Sequence, residues 1–392
     1  LASAANTGPV TLDAGPGAVS LRRGDGTVPL AAGDLRPGHV VGVKYDASGG
    51  GRFRLLHPAL PAPTAADAGR TLQVDAAGTG YQLAGPLHGF RNSVMNPAFD
   101  VWQRGTSFSN TTGYTVDRWY TPGFDSVSRQ EFPADQTDVP DNPRYFLRCA
   151  KTTATTQDRV DHRMEDLTRF FGRRITVSFH ARAGAPVTTT WFIGREYGAG
   201  GSGPAYESIG SAGLTSAWQK FTFTYTVPPQ GAATLGTGHF LVLHKSDNSG
   251  AVYILDIANV QVEFGPVATP LERRPFGIEL TLCQRYYAKS LPYGMAPDDG
   301  TNVYGNALFS RVEVSGHIYQ MQAFPVPMRA IPVVTFYNPR QGGAVGRWSD
   351  GVADANAPAG IGHVNTNGFL GDTGAIVATG NWYLHWAADA EL

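Results

Sequence analysis

The chain has 392 residues, with 31 Lys+Arg against 32 Asp+Glu and a formal net charge of −1. That balance excludes a nucleic-acid packer and a basic membrane-surface binder, because both need a concentrated cationic field. Charged residues make up only 16%, beside 48 Gly and 27 Pro, so the chain reads as turn-rich and helix-poor, with apolar residues enough for real cores.

No run of about 18 consecutive apolar residues occurs, and Leu1 to Val10 lacks the basic and apolar regions of a secretion signal. A soluble chain of two to four compact units is expected, with no membrane insertion and no nucleic-acid partner. Cys149 and Cys283 are too few for a disulfide framework or a zinc site, and read as buried thiols suited to assembly in a reducing cytosol.

Residues 1–58 read as a small β module. Val10-Thr11-Leu12, Ala18 to Leu21, His39 to Tyr45 and Arg52 to Leu56 are short strands, separated by the turn sequences Gly24-Asp25-Gly26, Arg36-Pro37-Gly38 and Ser48 to Gly51. Such a module is marginal alone, which predicts a partner or further copies. Residues 59–88 begin with the proline-rich linker Pro58 to Ala66 and continue as a short hairpin, Arg70 to Asp75 and Gly80 to Leu83. Its open edges again suggest a homo-oligomer.

Residues 89–272 carry about eight strand patterns without helical periodicity, which predicts a jelly-roll β-sandwich. The clearest are Arg144 to Cys149, Arg174 to His180, Thr189 to Ile193, Gln219 to Val227, His239 to Leu243 and Val252 to Ile257. In Gln219 to Val227, Phe221, Phe223 and Tyr225 alternate with Thr222, Thr224 and Thr226, the mark of a half-buried antiparallel strand. Residues 273–292 hold one connecting helix, Phe276 to Ser290, opened by Pro275, with Ile278, Leu282, Arg285 and Tyr286 on one stripe. Residues 293–392 read as a distal C-terminal β domain with strands at Arg311 to Val314, His317 to Met321, Pro332 to Tyr337 and Trp382 to Ala387. The fold class is therefore mainly β.

Motifs for common enzymes are absent from the sequence. Gly198-Ala199-Gly200-Gly201-Ser202-Gly203 has the dinucleotide spacing, but Pro204 follows where a helix N-terminus is needed, so a mobile loop is expected. There is no G-x-x-x-x-G-K-[ST], H-E-x-x-H or G-x-S-x-G. Asp161-His162-Arg163-Met164-Glu165-Asp166 is the densest ionisable run; paired carboxylates there would suit glycoside hydrolysis, while a solvated turn or strand end is the plainer reading. Asp256 is the candidate oxygen ligand for a structural calcium ion, or else a turn acceptor, and no other cofactor is indicated.

Aromatic residues are the informative chemistry. A sugar offers an apolar C–H face rimmed by hydroxyls, which an exposed ring beside amides and acids can grip. Trp191, Tyr197, Tyr206 and Trp218 surround the glycine-rich loop, and Trp348, His363, Trp382 and Trp386 decorate the C-terminal domain. The carbohydrate-binding candidates are Trp191, Tyr197, Tyr206, Trp218, Trp348 and Trp386, weighed against a core role for the strand tryptophans.

Four stretches carry a resemblance. They are Asn96-Pro97-Ala98-Phe99-Asp100-Val101-Trp102-Gln103-Arg104-Gly105-Thr106-Ser107-Phe108; Tyr114-Thr115-Val116-Asp117-Arg118-Trp119; Val260 to Gly265 running into Ala268 to Pro275; and Cys283-Gln284-Arg285-Tyr286-Tyr287. With them the chain resembles bacteriophage tail-fibre and related appendage proteins, including attachment spikes of phage-like gene transfer agents. Leu21 to Gly26, Phe53 to Leu56, Gly69 to Asp75 and Gly78 to Tyr81 also look like modules and short repeats of such fibres, so the resemblance covers roughly residues 5 to 290. It implies that the first two motifs open a carbohydrate-binding-module-like jelly roll and the third closes it. No catalytic residues are carried across, because these motifs are structural. In them, Trp102 and Trp119 read as core rings, with Arg104 and Arg118 free to stack or to pair with Asp100 and Asp117.

Together these readings predict a non-enzymatic appendage on a virion or phage-like particle, assembled in the bacterial cytoplasm and then extracellular. It would be a homo-oligomer, a trimer in the first instance, docked on particle proteins through its N-terminal module and bound to host surface polysaccharide. A polysaccharide depolymerase and a purely structural collar or baseplate part are the alternatives.

Overall fold

The computed structural model describes residues 7, 9–13, 18–22, 29–30, 43–47, 52–55, 71–74, 81–84, 90–154, 157–247, 250–297, 303–312, 316–340, 346–350, 357–358, 360–372 and 379–392. The chain divides into two compact units, Leu1–His88 and Gly89–Leu392. The linker at Pro58 to Ala66 and the turn at Ser48 to Gly51 lie outside the described residues.

In the first unit, β1 (Val10–Asp13), β2 (Ala18–Arg22), β3 (Val43–Asp46) and β4 (Arg52–Leu55) form one sheet in the order β1-β2-β4-β3. Leu21 pairs across with Phe53, and with Leu30 these are the buried apolar side chains of a very small core. A core of that size contributes little by area. The hairpin expected beyond the linker is β5 (Thr71–Val74) paired with β6 (Tyr81–Ala84).

The second unit opens with β7 (Ser107–Ser109), β8 (Trp119–Tyr120), β9 (Ser126–Glu131), β10 (Tyr145–Lys151), β11 (Asp158–Glu165) and β12 (Arg174–Ala183). It continues with β13 (Val187–Glu196), β14 (Ala205–Leu214), β15 (Gln219–Thr226), β16 (Phe240–Asp247) and β17 (Tyr253–Phe264). A six-stranded sheet runs β15-β12-β17-β10-β9-β7 and a five-stranded sheet runs β14-β13-β16-β11-β8. Successive strands from β10 to β17 mostly switch sheets, which is jelly-roll connectivity. Between the sheets lies a core that includes Trp191, Phe179, Leu243 and Ile257. Inside it Lys151, Asp158 and Lys245 are fully buried, and Asp158 also accepts from the Tyr253 hydroxyl at 2.8 Å. Phe221, Phe223 and Tyr225 face this core, and their threonine neighbours face solvent.

Helix α1 (Phe276–Gln284) is shorter than the predicted Phe276 to Ser290. It buries Glu279 and Cys283, not the expected stripe, and leaves Ile278 exposed. Glu279 accepts the Asn96 amide at 2.5 Å and pairs with Arg274 at 3.0 Å, so the helix is anchored by charge. Beyond it Tyr287–Lys289 is pulled out of helix as β18, paired with β26 (Gly380–Asp389). Between them come β19 (Leu308–Val312), β20 (Tyr319–Ala323), β21 (Val333–Tyr337), β22 (Arg347–Trp348), β23 (Ala357–Pro358), β24 (Gly360–Gly362) and β25 (Gly368–Asp372). Strand β26 pairs with β18, β19 and β21 over a second core containing Trp348, Phe369, Trp382 and Trp386.

The sequence motif at Asn96 to Arg118 turns out to be a clasp. Trp102 and Trp119 have no exposed surface, as expected for core rings. The Asn96 side chain exchanges bonds with Val101 at 2.8 and 2.9 Å and donates to the Asp117 carbonyl at 3.1 Å. These contacts hold Asn96, Phe99 and Arg118 at φ 54, 56 and 72°, a conformation costly for Phe and Arg. Of the two roles the sequence offered Arg104 and Arg118, stacking on a ring is the one seen, and neither forms an ion pair with Asp100 or Asp117. Arg104 reaches Asp389 at 3.1 Å and Glu391 at 3.3 Å and lies 3.8 Å over the Tyr287 ring. The fully buried Arg118 pairs with Glu391 and lies 3.4 Å over the Tyr286 ring. The sandwich is thereby bolted to the C-terminal sheets.

Candidate functional site

Strand alternation assigns one face of the five-stranded sheet to the core and the other to solvent. On β16, Leu241, Leu243 and Lys245 point inward, leaving Phe240, Val242 and His244 on the other face; on β13, Trp191 and Ile193 point inward, leaving Phe192 and Gly194 on that face, where Val242, His244 and Gly194 are covered by their neighbours. Registers then line the outward residues into two rows. Tyr206, Gly194, Val242 and Arg163 stand side by side across β14, β13, β16 and β11. In the neighbouring row stand Ser208, Phe192, His244, Asp161 and, on β8, Tyr120.

Directly opposed side chains in such rows touch, and these form a continuous surface. His244 Nδ1 lies 2.6 Å from Asp161 Oδ1, and both residues are nearly buried. Tyr206 meets the imidazole edge to face at 5.1 Å, and Phe192 meets it at 5.6 Å. The Tyr206 hydroxyl donates to Glu196. Burial, then that bond, raises the Tyr206 phenol well above its ordinary value, so it stays a donor. Gly194 is required by close approach: a Cβ there would come 2.5 Å from the Tyr206 ring. At the far end the Arg163 guanidinium lies 4.8 Å from the Tyr120 ring centroid. The result is a surface of rings with one face available, Tyr206 being 42% exposed, beside carboxylate, imidazole and guanidinium groups.

Of the six residues proposed from sequence, Tyr206 alone belongs to this surface. Trp191 and Tyr197 lie in the sandwich core, and Trp348 and Trp386 lie in the C-terminal core, each at most 5% exposed. Their faces are taken up by packing: Trp191 lies tilted against Phe179 at 4.1 Å and Trp386 meets Phe369 at 5.6 Å. Trp382 is also buried, whereas His363 is exposed. Trp218 is half-buried on the outer face of the other sheet, against Phe146 at 5.3 Å, Phe132 at 5.2 Å and Arg182 at 4.9 Å. The six therefore do not converge.

The glycine-rich segment is tied down where a mobile loop was expected, with Ala199 and Thr237 exchanging main-chain bonds at 2.9 and 3.0 Å. The Asp161–Asp166 run is mostly strand β11, and its acids have separate partners: Asp161 in His244, Glu165 in Arg285 at 3.3 Å, Asp166 in Thr168. Asp256 is 3% exposed, and its oxygens accept from Arg148 at 2.7 and 2.8 Å and from Arg182 at 2.9 Å. Two guanidinium groups already neutralise that carboxylate, so its surroundings do not fit a calcium ion, which needs several converging oxygens. No group of three or more His, Cys, Asp or Glu suited to a metal occurs among the described residues.

Sequence reasoning reached Asp161 and Arg163 only as members of the ionisable run, weighed for hydrolysis, and did not place Phe192, His244 or Tyr120 in a saccharide surface. Phe192 carried a signal, since it alternates with Trp191 and Ile193, but nothing local joined it to His244.

No protein-family model and no curated protein matches the chain. Solved structures similar to part of it include tailspike protein 4 of bacteriophage CBA120 (enzymatically active domain), at 15% identity and TM-score 0.32 over 47% of this chain. That match spans 23% of the tailspike chain. The CBM22-1 xylan-binding domain of Paenibacillus barcinonensis Xyn10C is similar at 14% identity and TM-score 0.28, over 42% of this chain and 99% of that one. A family 11 carbohydrate-binding module from Clostridium thermocellum is similar at 13% identity and TM-score 0.28, over 42% and 97%.

Proposed function

We propose that the outer face of the five-stranded sheet binds saccharide, and that the protein is a non-enzymatic attachment component of a phage or phage-like particle such as a gene transfer agent. The observation that carries the binding is the pair of cross-strand rows, in which Tyr206, Phe192 and Tyr120 supply ring surface over the nearly buried Asp161–His244 pair, with Arg163 and the adjacent Glu196 supplying hydrogen-bonding groups. Rings take the C–H face of a sugar and the polar groups take its rim. Binding without cleavage is favoured because Asp161 and Glu196 are each engaged by a neighbouring side chain. Glycoside hydrolysis needs one carboxyl free to give a proton and a second free to attack or activate water.

The attachment role draws on the appendage-like motifs at Asn96 to Trp119 and Val260 to Pro275. The N-terminal unit docks on the particle. Several copies, three in the first instance, multiply weak single sites by raising effective concentration at a polysaccharide surface.

The test uses the full chain and purified surface polysaccharide of a host cell. Saturable binding, weakened about tenfold in Tyr206→Ala, with unchanged polymer length is the expected result. New reducing ends or falling viscosity would replace this reading with a depolymerase. No binding, with particles lacking the protein still adsorbing normally, would leave a structural collar part.

A further inference from the structure

A cavity of about 690 Å³ opens between strands β9 and β10 and the start of helix α1, within the ~300–1,000 Å³ range of small-ligand sites. Its lining is strongly cationic, with Arg129, Arg144, Arg273 and Arg274 against a single acid, Asp100. Burial pushes the Asp100 carboxyl up, against the lowering pull of Arg273 and Arg144.

The four guanidinium groups are not equivalent. Arg274 is neutralised by Glu279 at 3.0 Å and approaches Glu272 at 3.8 Å, yet its buried Nε has no hydrogen-bond partner among the described residues. Arg144 is paired only loosely, with Glu131 at 3.9 Å, both side chains being well exposed. Arg273 donates to the Asp141 carbonyl at 2.7 Å, and the acid that feels its charge is Asp100. Arg129 and Arg144 flank one ring, at 4.5 and 4.8 Å from the Tyr145 centroid. Across the cavity Phe276 and Tyr293 meet edge to face at 5.3 Å and are 46% and 42% exposed.

We propose that this cavity binds a carboxylate-bearing sugar unit, a hexuronate of an acidic polysaccharide. The planar forks of Arg129, Arg144 and Arg273 match a carboxylate. Phe276 and Tyr293 give the sugar ring an apolar wall, which inorganic phosphate would not use. The assignment rests on this cavity alone and stands or falls independently of the sheet-face site.

Titration calorimetry on the full chain at low salt tests it, with trigalacturonate as the probe. Its neutral trimer, with each carboxylate reduced to hydroxymethyl, and inorganic phosphate are the comparisons. Trigalacturonate should bind at least tenfold more tightly than either. Arg144→Gln, Arg273→Gln and Phe276→Ser replace exposed side chains, which preserves the fold, and each should weaken trigalacturonate at least threefold. Tyr206→Ala should leave it unchanged, which separates this site from the sheet face. Absence of binding, equal binding of the neutral trimer or of phosphate, loss in Tyr206→Ala, or unchanged affinity in all three cavity variants would each overturn the proposal.

Discussion

The two outer faces of the sandwich carry similar residue types in different arrangements. On the six-stranded sheet, Asp256 is clamped by Arg148 and Arg182, and Trp218 closes over Phe132 and Phe146. The Asp256 carboxylate there is answered from within by two guanidinium groups. On the five-stranded sheet, Asp161 and His244 form a similar floor, but Tyr206 and Phe192 are left with ring surface facing outward. Composition alone does not separate a sealed surface from a receptive one; what separates them is whether the neighbours across the strands complete the hydrogen bonds and cover the rings.

The largest effect that would break this contrast is on stability. Asp256→Ala should cost about 2 kcal/mol, because it strands two guanidinium groups against each other; the figure is below that of a fully buried pair, since Arg148 and Arg182 side chains are 33% and 32% exposed. The urea midpoint reads it, and saccharide affinity should not move. Tyr206→Ala should act the other way, weakening saccharide about tenfold, or about 1.4 kcal/mol, with a stability loss under about 1 kcal/mol. Titration calorimetry beside the urea curve decides whether that face is receptive. Trp218→Ala should lose about 1 kcal/mol of stability, from its aromatic and Arg182 contacts. A fall in saccharide affinity in that variant would move the site to the sealed face.

The smallest effect is in pH. His180 projects from β12 on the six-stranded sheet, where burial and then Lys220 lower its pKa to about 4. Unfolded histidine titrates near ~6.5, so between those values the unfolded chain binds the proton that the folded chain refuses. Stability from this group is complete above about 6.5 and declines as pH falls towards about 4. His162 and His385, also lowered by burial, act in the same direction. Urea midpoints between pH 7 and 4 should therefore fall, with a shallower slope in His180→Gln; an unchanged slope would mean that His180 is already solvated.

Local signals in the sequence were strong wherever a strand's own alternation settled its faces. The Phe221, Phe223 and Tyr225 stripe fell as expected, and so did the burial of Trp102 and Trp119. Strand β11 was harder to read, because Asp158 and His162 are charged-type residues pointing inward, answered by Lys151 and by Met95. Tryptophans marked cores and not ligand surfaces, since Trp191, Trp348 and Trp386 were needed to fill the space between sheets. The candidate surface was illegible for a topological reason. Its rows draw on β14, β13, β16, β11 and β8, whose order across the sheet is not their order in the chain. Tyr206 was found because it is a lone ring in polar sequence; its neighbours become neighbours only after the sheet is assembled.

The bolt between Arg118 and Glu391 joins residues 273 positions apart. During translation the arginine therefore leaves the ribosome long before its carboxylate exists. A guanidinium sealed in a dry interior needs a counter-ion, so the buried seat of Arg118 can be completed only once residue 391, beyond β26, has been made. Final packing of the first sandwich strands therefore depends on a residue from the far end of the same unit.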